Sequence, residues 1–286
     1  MDISLKWLRI DITAKRGYSP PFFAGSMLRG VLGTALKSVV CINPSYRCDG
    51  CFAARECLYY DWYEEKNTYH RYRVTSALAM SQLRFSVWLY EDAVSKLPYV
   101  LSAVAKALTQ KGLGRERTRV EIESISVAGR KVYENGSFLS LEGIESKLFK
   151  PVDDSSDWLI EWKTPLRIKQ NNRFARESEG VSLPTVINSI HRRYHELKGI
   201  EIPPLGYRVE GEVTKAHWKQ LDLHRYSNRQ RSRMKLGGLT GMMQIKGLDP
   251  KSAAYLQLGE LIGVGKQTVF GLGDYRLEPL LSGFDR

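Results

Sequence analysis

Four glycines and a lysine stand together near the carboxyl end, in the run Gly263-Val-Gly-Lys-Gln-Thr-Val-Phe-Gly-Leu-Gly273. Glycines at that density leave backbone N–H groups open to close approach, and a row of N–H groups beside a lysine is a seat for phosphate. Two nucleotide loops are excluded at once. A P-loop needs a Ser or Thr after its lysine and a glycine five residues before the last one; here Gln267 follows Lys266 and Glu260 stands at the glycine's place. The dinucleotide fingerprint needs a glycine where Thr268 sits, and a strand before the loop. The preceding segment reads instead as a helix, capped by Asp249, with Pro250 in its first turn and Ala253, Ala254, Leu256, Leu258 and Leu261 as apolar surface. The loop thus follows a helix C-terminus, whose partial charge is negative, so an anion there depends on the glycine amides and Lys266. The alternative is a glycine-rich hairpin before a last strand.

All four cysteines fall in one stretch, Cys41-x6-Cys48-x2-Cys51-x5-Cys57. Four thiolates with one C-x2-C knuckle can wrap a tetrahedral metal, which would order a long insertion short of apolar residues. Zinc is the expected structural ion, and the spacing also admits a [4Fe–4S] cluster. Free thiols in a compact loop are the alternative.

Acid–base chemistry at neutral pH points to histidine. The five are His70, His191, His195, His217 and His224. His224 adjoins Arg225-Tyr226-Ser227 inside a basic stretch and is the first candidate for an acid or base, with Tyr226 offering a stacking ring or a phenol donor. His191 and His195 lie one helical turn apart without a third ligand, and a surface or interface role is expected for them. Arg225, Arg229 and Lys235 read as phosphate clamps, because Arg stays charged and can pair bidentately.

These residues sit in a strongly basic chain. Its 43 Lys and Arg against 31 Asp and Glu leave +12 over 286 residues. From Arg225 to Lys246 there are six basic residues and no acid, and from Lys163 to Arg176 five and no acid. Solvated faces usually mix both signs, so these stretches predict an electropositive surface for a polyanion, with Tyr226, Phe174, Asn171, Asn172 and Gln230 interleaved for stacking and hydrogen bonding. No 18-residue apolar run and no secretory pattern are present, which predicts a soluble cytoplasmic protein without a membrane partner.

The elements that must position these groups recur twice. Strand-like Ile3–Ile12, a helix Gly25–Val40, strand Leu83–Tyr90, helix Ala93–Gly112 and strands Val120–Val127 and Lys131–Tyr133 follow the ferredoxin-like order. After a polar connection over 134–156, strand Trp158–Ile168, helix Leu183–Leu197, strand candidates Trp218–Arg225 and Gly237–Lys246, helix 250–262 and strand Gly273–Leu280 repeat it. The expected fold is α+β: two ferredoxin-like (RRM-like) lobes in tandem, over 1–140 and 155–286. The cysteine-rich insertion, about 41–63, lies in the first.

Several of these motifs together resemble a family. They are Phe23-Ala-Gly-Ser-Met-Leu-Arg-Gly-Val-Leu-Gly33 and the cysteines in the first half. In the second they are Trp158-Leu-Ile-Glu-Trp-Lys-Thr-Pro-Leu-Arg-Ile-Lys169, Ile190-His-Arg-Arg193, Arg225-Tyr-Ser-Asn-Arg-Gln230, Lys235-Leu-Gly-Gly-Leu-Thr-Gly241 and the Gly263–Gly273 loop. The ordered set resembles the Cas-six type CRISPR repeat-cleaving endoribonucleases of the RAMP superfamily. The resemblance implies CRISPR repeat RNA held across two lobes and cut without a metal by its own 2′-hydroxyl, leaving a cyclic phosphate and a 5′-hydroxyl. It maps RNA holding onto Gly263, Gly265, Lys266, Gly271 and Gly273, beside Arg167, Lys169, Arg225, Arg229, Gln230, Arg231 and Lys235. It also implies other CRISPR effector subunits as partners, and a monomer or homodimer. The family often carries a histidine on or after the first helix, and this helix has none. Arg29 there is the candidate for stabilising charge at phosphorus, with a salt bridge to the other lobe as its alternative. A non-catalytic RNA-binding RAMP subunit is the second expectation.

Overall fold

The computed structural model describes residues 3–66, 68–152, 155–177, 179–227 and 232–280, with the backbone alone over 224–227 and 232–234. The chain divides into two compact units, Lys6–Leu148 and Phe149–Arg286, the latter together with Met1–Leu5.

The first unit runs β1 (Leu5–Ala14), α1 (Gly25–Val40), β2 (Tyr72–Thr75), β3 (Arg84–Tyr90), α2 (Leu97–Lys106), β4 (Ile122–Val127), β5 (Arg130–Glu134), β6 (Ser137–Phe138) and β7 (Lys147–Phe149). Its sheet is ordered β2-β3-β1-β4-β5-β6, with β7 on β1, and β3 and β4 are antiparallel to β1. Alternation explains β1: Leu8, Ile10, Ile12 and Ala14 are buried while Arg9, Asp11 and Thr13 are not. Helix α1 buries Leu28, Leu32, Ala35 and Leu36, the stripe that its sequence shows. The predicted helix 93–112 is three pieces in succession, a 3₁₀ turn, α2 and a π turn ending at Gly112, whose φ of +75° stops it. Strand β2 carries no alternation because Tyr72, Arg73 and Val74 are all buried, and the sequence pattern misses it for that reason.

The second unit runs β8 (Trp158–Leu166), a hairpin of β9 (Lys169–Gln170) and β10 (Arg173–Phe174), α3 (Leu183–Lys198), β11 (Glu212–Leu221), a hairpin of β12 (His224–Ser227) and β13 (Ser232–Lys235), β14 (Gly238–Lys246), α4 (Pro250–Ile262) and β15 (Tyr275–Pro279). Its sheet order is β11-β14-β8-β15. Counting only the four strands of each ferredoxin-like repeat, both units read 2-3-1-4, so the two-lobe α+β fold expected from sequence is the observed one. Trp158, Ile160, Trp162 and Leu166 of β8, Val186, Ile187 and Ile190 of α3 and Tyr255, Leu256 and Leu258 of α4 are all buried in this lobe. Asp249 caps α4 as predicted, its side chain accepting from the Ser252 amide at 2.9 Å. Strand β11 begins six residues earlier than Trp218 because Glu212 to His217 are exposed on both faces and show no period of two.

Candidate nucleic-acid interface

Where β8 ends, the chain passes through Arg167 and Ile168 into the β9–β10 hairpin. Its turn residues Asn171 and Asn172 have φ of +50° and +61°, a pair that suits a two-residue primed turn and that asparagine tolerates. Gln170 ties the hairpin to the start of α3, its Oε1 accepting from the Ser182 amide at 2.9 Å and from Thr185 Oγ1 at 3.2 Å. The hairpin then forms one wall of an open groove of about 960 Å³. Arg167, Arg173, Arg176 and Lys235 line it against two acids, Glu177 and Asp222. Both acids are engaged by Gln220, whose amide N–H donates to Glu177 and whose side chain donates to Asp222. The groove is therefore net cationic and suits an anionic polymer.

Arg167 is held on two sides. Its Nη1 donates to the Gly237 carbonyl at 3.0 Å, and its guanidinium lies 4.0 Å from the centre of the Phe174 ring. Partial burial lowers its pKa from the usual arginine range, and the group remains cationic. Lys169 Nζ lies 5.7 Å from the same ring. Gly238 brings β14 close against β8: a Cβ there would stand 2.5 Å from the Leu166 carbonyl.

The glycine loop differs from its expectation. Five of its amides donate inward: Val264 to the Gly273 carbonyl, Gly265 to Ser189 Oγ, Lys266 to the Arg167 carbonyl, Gly271 to Thr268 and Gly273 to Pro165, all within 2.7–3.0 Å. Gly263, Gly271 and Gly273 are buried. At Gly265 φ is +81° and a Cβ would meet the Arg167 carbonyl at 2.5 Å. These glycines permit the loop to clamp the Pro165–Arg167 end of β8; these five amides are not a phosphate seat. Lys266 alone of the mapped residues in the loop is exposed. Behind the clamp, buried Arg193 of α3 donates from Nε to the Ile262 carbonyl at 2.8 Å, a cation at the C-terminus of α4.

The other candidates are placed as follows. Lys235 joins Arg167 at the groove, with Lys169 over Phe174 at its wall. His224, Arg225 and Tyr226 form β12, in register His224↔Lys235 and Tyr226↔Arg233, and their side chains lie outside the described structure. Arg229, Gln230 and Arg231 lie outside the described residues. Arg29 packs within its own lobe: Nη2 donates to the Trp62 carbonyl at 3.2 Å, the guanidinium stands 4.5 Å from the Tyr63 ring centre, and Tyr63 donates back to the Arg29 carbonyl at 3.1 Å.

That packing explains how the cysteine insertion is held. Arg29, Gly33 and Lys37 recur every four residues along α1. Lys37 Nζ lies 5.1 Å from Tyr46 and 4.9 Å from Tyr59, Tyr59 stacks on Tyr63 at 5.3 Å, and Gly33 leaves the space that the Tyr63 ring occupies. Buried Trp62 stacks on Tyr72 at 4.2 Å, and burial pushes the Tyr63 phenol well above its ordinary range. The expected zinc or iron–sulfur site is not shown: among the described residues no three or more His, Cys, Asp or Glu are gathered to hold a metal ion. Cys41, Cys48, Cys51 and Cys57 are half-buried free thiols. These rings and cations hold the insertion against α1.

His191 and His195 are another correction. Both are 4% exposed, their rings 4.3 Å apart, with Tyr255 edge-on to His191. Burial, and then the neighbouring imidazole, hold His191 below the ordinary histidine range. The signal was available, since Ile187, His191, Tyr194 and His195 continue the buried stripe of α3.

Comparison with known proteins agrees with this geometry. Residues 160–275 match the family described as CRISPR-associated endoribonuclease Cas6. The C-terminal lobe matches that family over most of its length. Residues 3–145, half of the chain, match AF_1859_N, described as an N-terminal domain, and the Cas6 lobe is thus joined to a lobe of that family. An uncharacterised protein of Archaeoglobus fulgidus is 26% identical over 283 residues, spanning 91% of this chain and 93% of that protein. A solved Cas6 product complex is 12% identical and covers 98% of this chain and 100% of its own, with a TM-score of 0.55. Another is 15% identical over 96% and 99%, also at 0.55. At such identities the likeness is one of fold, and it covers both lobes.

Proposed function

We propose that this protein is an endoribonuclease that cuts precursor CRISPR RNA within its repeats. The observation that carries it is that the half matching Cas6 also forms a groove whose cations, Arg167, Arg173, Arg176 and Lys235, outnumber its acids. The cut requires no metal: a base takes the 2′ proton, the 2′ oxygen attacks phosphorus, the bond to the 5′ oxygen breaks, and an acid protonates that oxygen. The products are a cyclic phosphate and a 5′-hydroxyl. His224 and Tyr226 on β12, with His224 opposite Lys235 in register, are the candidates for base and acid. Arg225, Arg229, Gln230, Arg231 and Lys266 are the further candidates for holding the RNA.

One observation favours a second reading, an RNA-binding subunit without catalysis. Arg29, the candidate for charge stabilisation, is engaged with Trp62 and Tyr63, and α1 carries no histidine. Incubation with a repeat RNA in EDTA separates the two. Cleavage abolished by one 2′-deoxy substitution supports the enzyme, whereas tight binding of RNA that stays intact supports the subunit. His224→Ala with Tyr226→Ala should lower the cleavage rate at least about 100-fold. An unchanged rate removes both residues from the site.

A further inference from the structure

We infer that Phe174 is a stacking platform for one unpaired base of the bound RNA, with Arg173 and Arg176 holding the adjoining phosphates. This rests on the RNA-binding reading above and names one subsite within it.

The β9–β10 hairpin has two residues in each strand and no core of its own. Such a hairpin is marginal in isolation. Here it is fixed by its asparagine turn, by Gln170 reaching Ser182 and Thr185, and by the Ala175 amide donating to the Ile168 carbonyl at 3.0 Å. What this rigid support presents is Arg173 and Phe174, both exposed. Phe174 is 40% exposed in a groove whose cations outnumber its acids, and the Arg167 guanidinium 4.0 Å from its ring centre holds it in place. Arg167 is itself tied to the Gly237 carbonyl and, through its own carbonyl, to the Lys266 amide of the glycine loop. A preorganised ring costs little entropy when a ligand stacks on it.

The chemistry of the ligand follows from the mixture. Cations alone would serve a duplex, which is read through its backbone and 2′-hydroxyls. An exposed ring among them serves a single strand, whose unstacked bases lie on aromatic and guanidinium planes. Stacking is tolerant of base identity, so the subsite reports strandedness more than sequence.

The test uses the full chain, a repeat RNA and an unstructured uridine 12-mer carrying one 2-aminopurine at successive positions. The wild-type protein should change the fluorescence at one position by stacking. Phe174→Leu should abolish that change and weaken binding about 5- to 100-fold, with the salt dependence unaltered. Phe174→Trp should restore both. Arg173→Ala should keep the fluorescence change and flatten the salt slope by about one. Wild-type protein that binds neither RNA overturns the RNA reading itself. Binding by the wild type with Phe174→Leu within twofold of it overturns the platform alone. So does a loss that Phe174→Trp fails to reverse, or one that accompanies a fall in the melting temperature of Phe174→Leu.

Discussion

The glycine loop of one lobe and the cysteine insertion of the other make an instructive pair. Each is marked in the sequence by a dense repeat of one special residue type, and each has the composition of a ligand site. In the structure both are held by their own lobe. The glycine loop turns five amides inward and grips the end of β8; the cysteine insertion is docked on α1 by Tyr59, Trp62 and Tyr63. They differ in tolerance. The loop is backbone against backbone, where no atom can be added, while the insertion is side chain against side chain, where rings can shift. The groove that suits RNA lies beside the first of them and is made of residues less conspicuous in the sequence.

The sharpest break in that comparison is Gly273→Ala. At φ +68° its Cβ would run into the Val264 carbonyl, and the C-terminal lobe should lose about 3 kcal/mol or more by combined backbone strain and overpacking, read from denaturant unfolding. Retention of wild-type stability would show that the loop is not the clamp described. Gly33→Ala is the matching change in the other lobe. Its methyl group meets the far edge of the Tyr63 ring, which can give way, so the cost should be about 1–2 kcal/mol, with faster proteolysis within 41–64 and little change in RNA affinity.

Next in size is a contrast in RNA binding. Arg167→Ala should weaken binding more than Lys266→Ala does, about tenfold against about threefold, because it removes a cation and also frees Phe174. The reverse order would return the phosphate seat to the glycine loop. The effect of pH should be smaller. His191 is held neutral in the fold, so its contribution is complete above the unfolded value of about 6.5 and declines as pH falls through and below it. The melting temperature of the C-terminal lobe should drop with acid in that window, and His191→Phe should flatten the drop. The smallest expectation is no effect: a strong chelator should leave the melting temperature of the N-terminal lobe within about 1 °C, as aromatic docking on α1 alone would allow. A larger fall would restore the metal site.

Periodicity is a local property, and what depended on it was legible. Helix α1 begins and ends where its apolar stripe does, Asp249 caps α4, and the two ferredoxin-like repeats follow from the order of elements. Elements without a period escaped. Strand β2 is buried on both faces at Arg73 and β11 is exposed on both, so neither alternates. The histidines of α3 are buried because they stand on its apolar stripe, where position outweighs residue type.

For the candidate site, the sequence by itself determined the charge, the polyanion it suits, and which segments are rich in cations, because composition and net charge do not depend on folding. The direction of each polar group was decided only by the tertiary structure. A backbone amide of the loop is a phosphate donor or an internal strut according to which carbonyl lies opposite it, and that carbonyl, Arg167 for Lys266 and Pro165 for Gly273, is about a hundred residues away along the chain. The same holds for Phe174 and Arg29, two unremarkable residues in sequence. One is presented in a cationic groove by a hairpin turn, and the other is drawn onto the rings of an insertion that the cysteines alone did not explain.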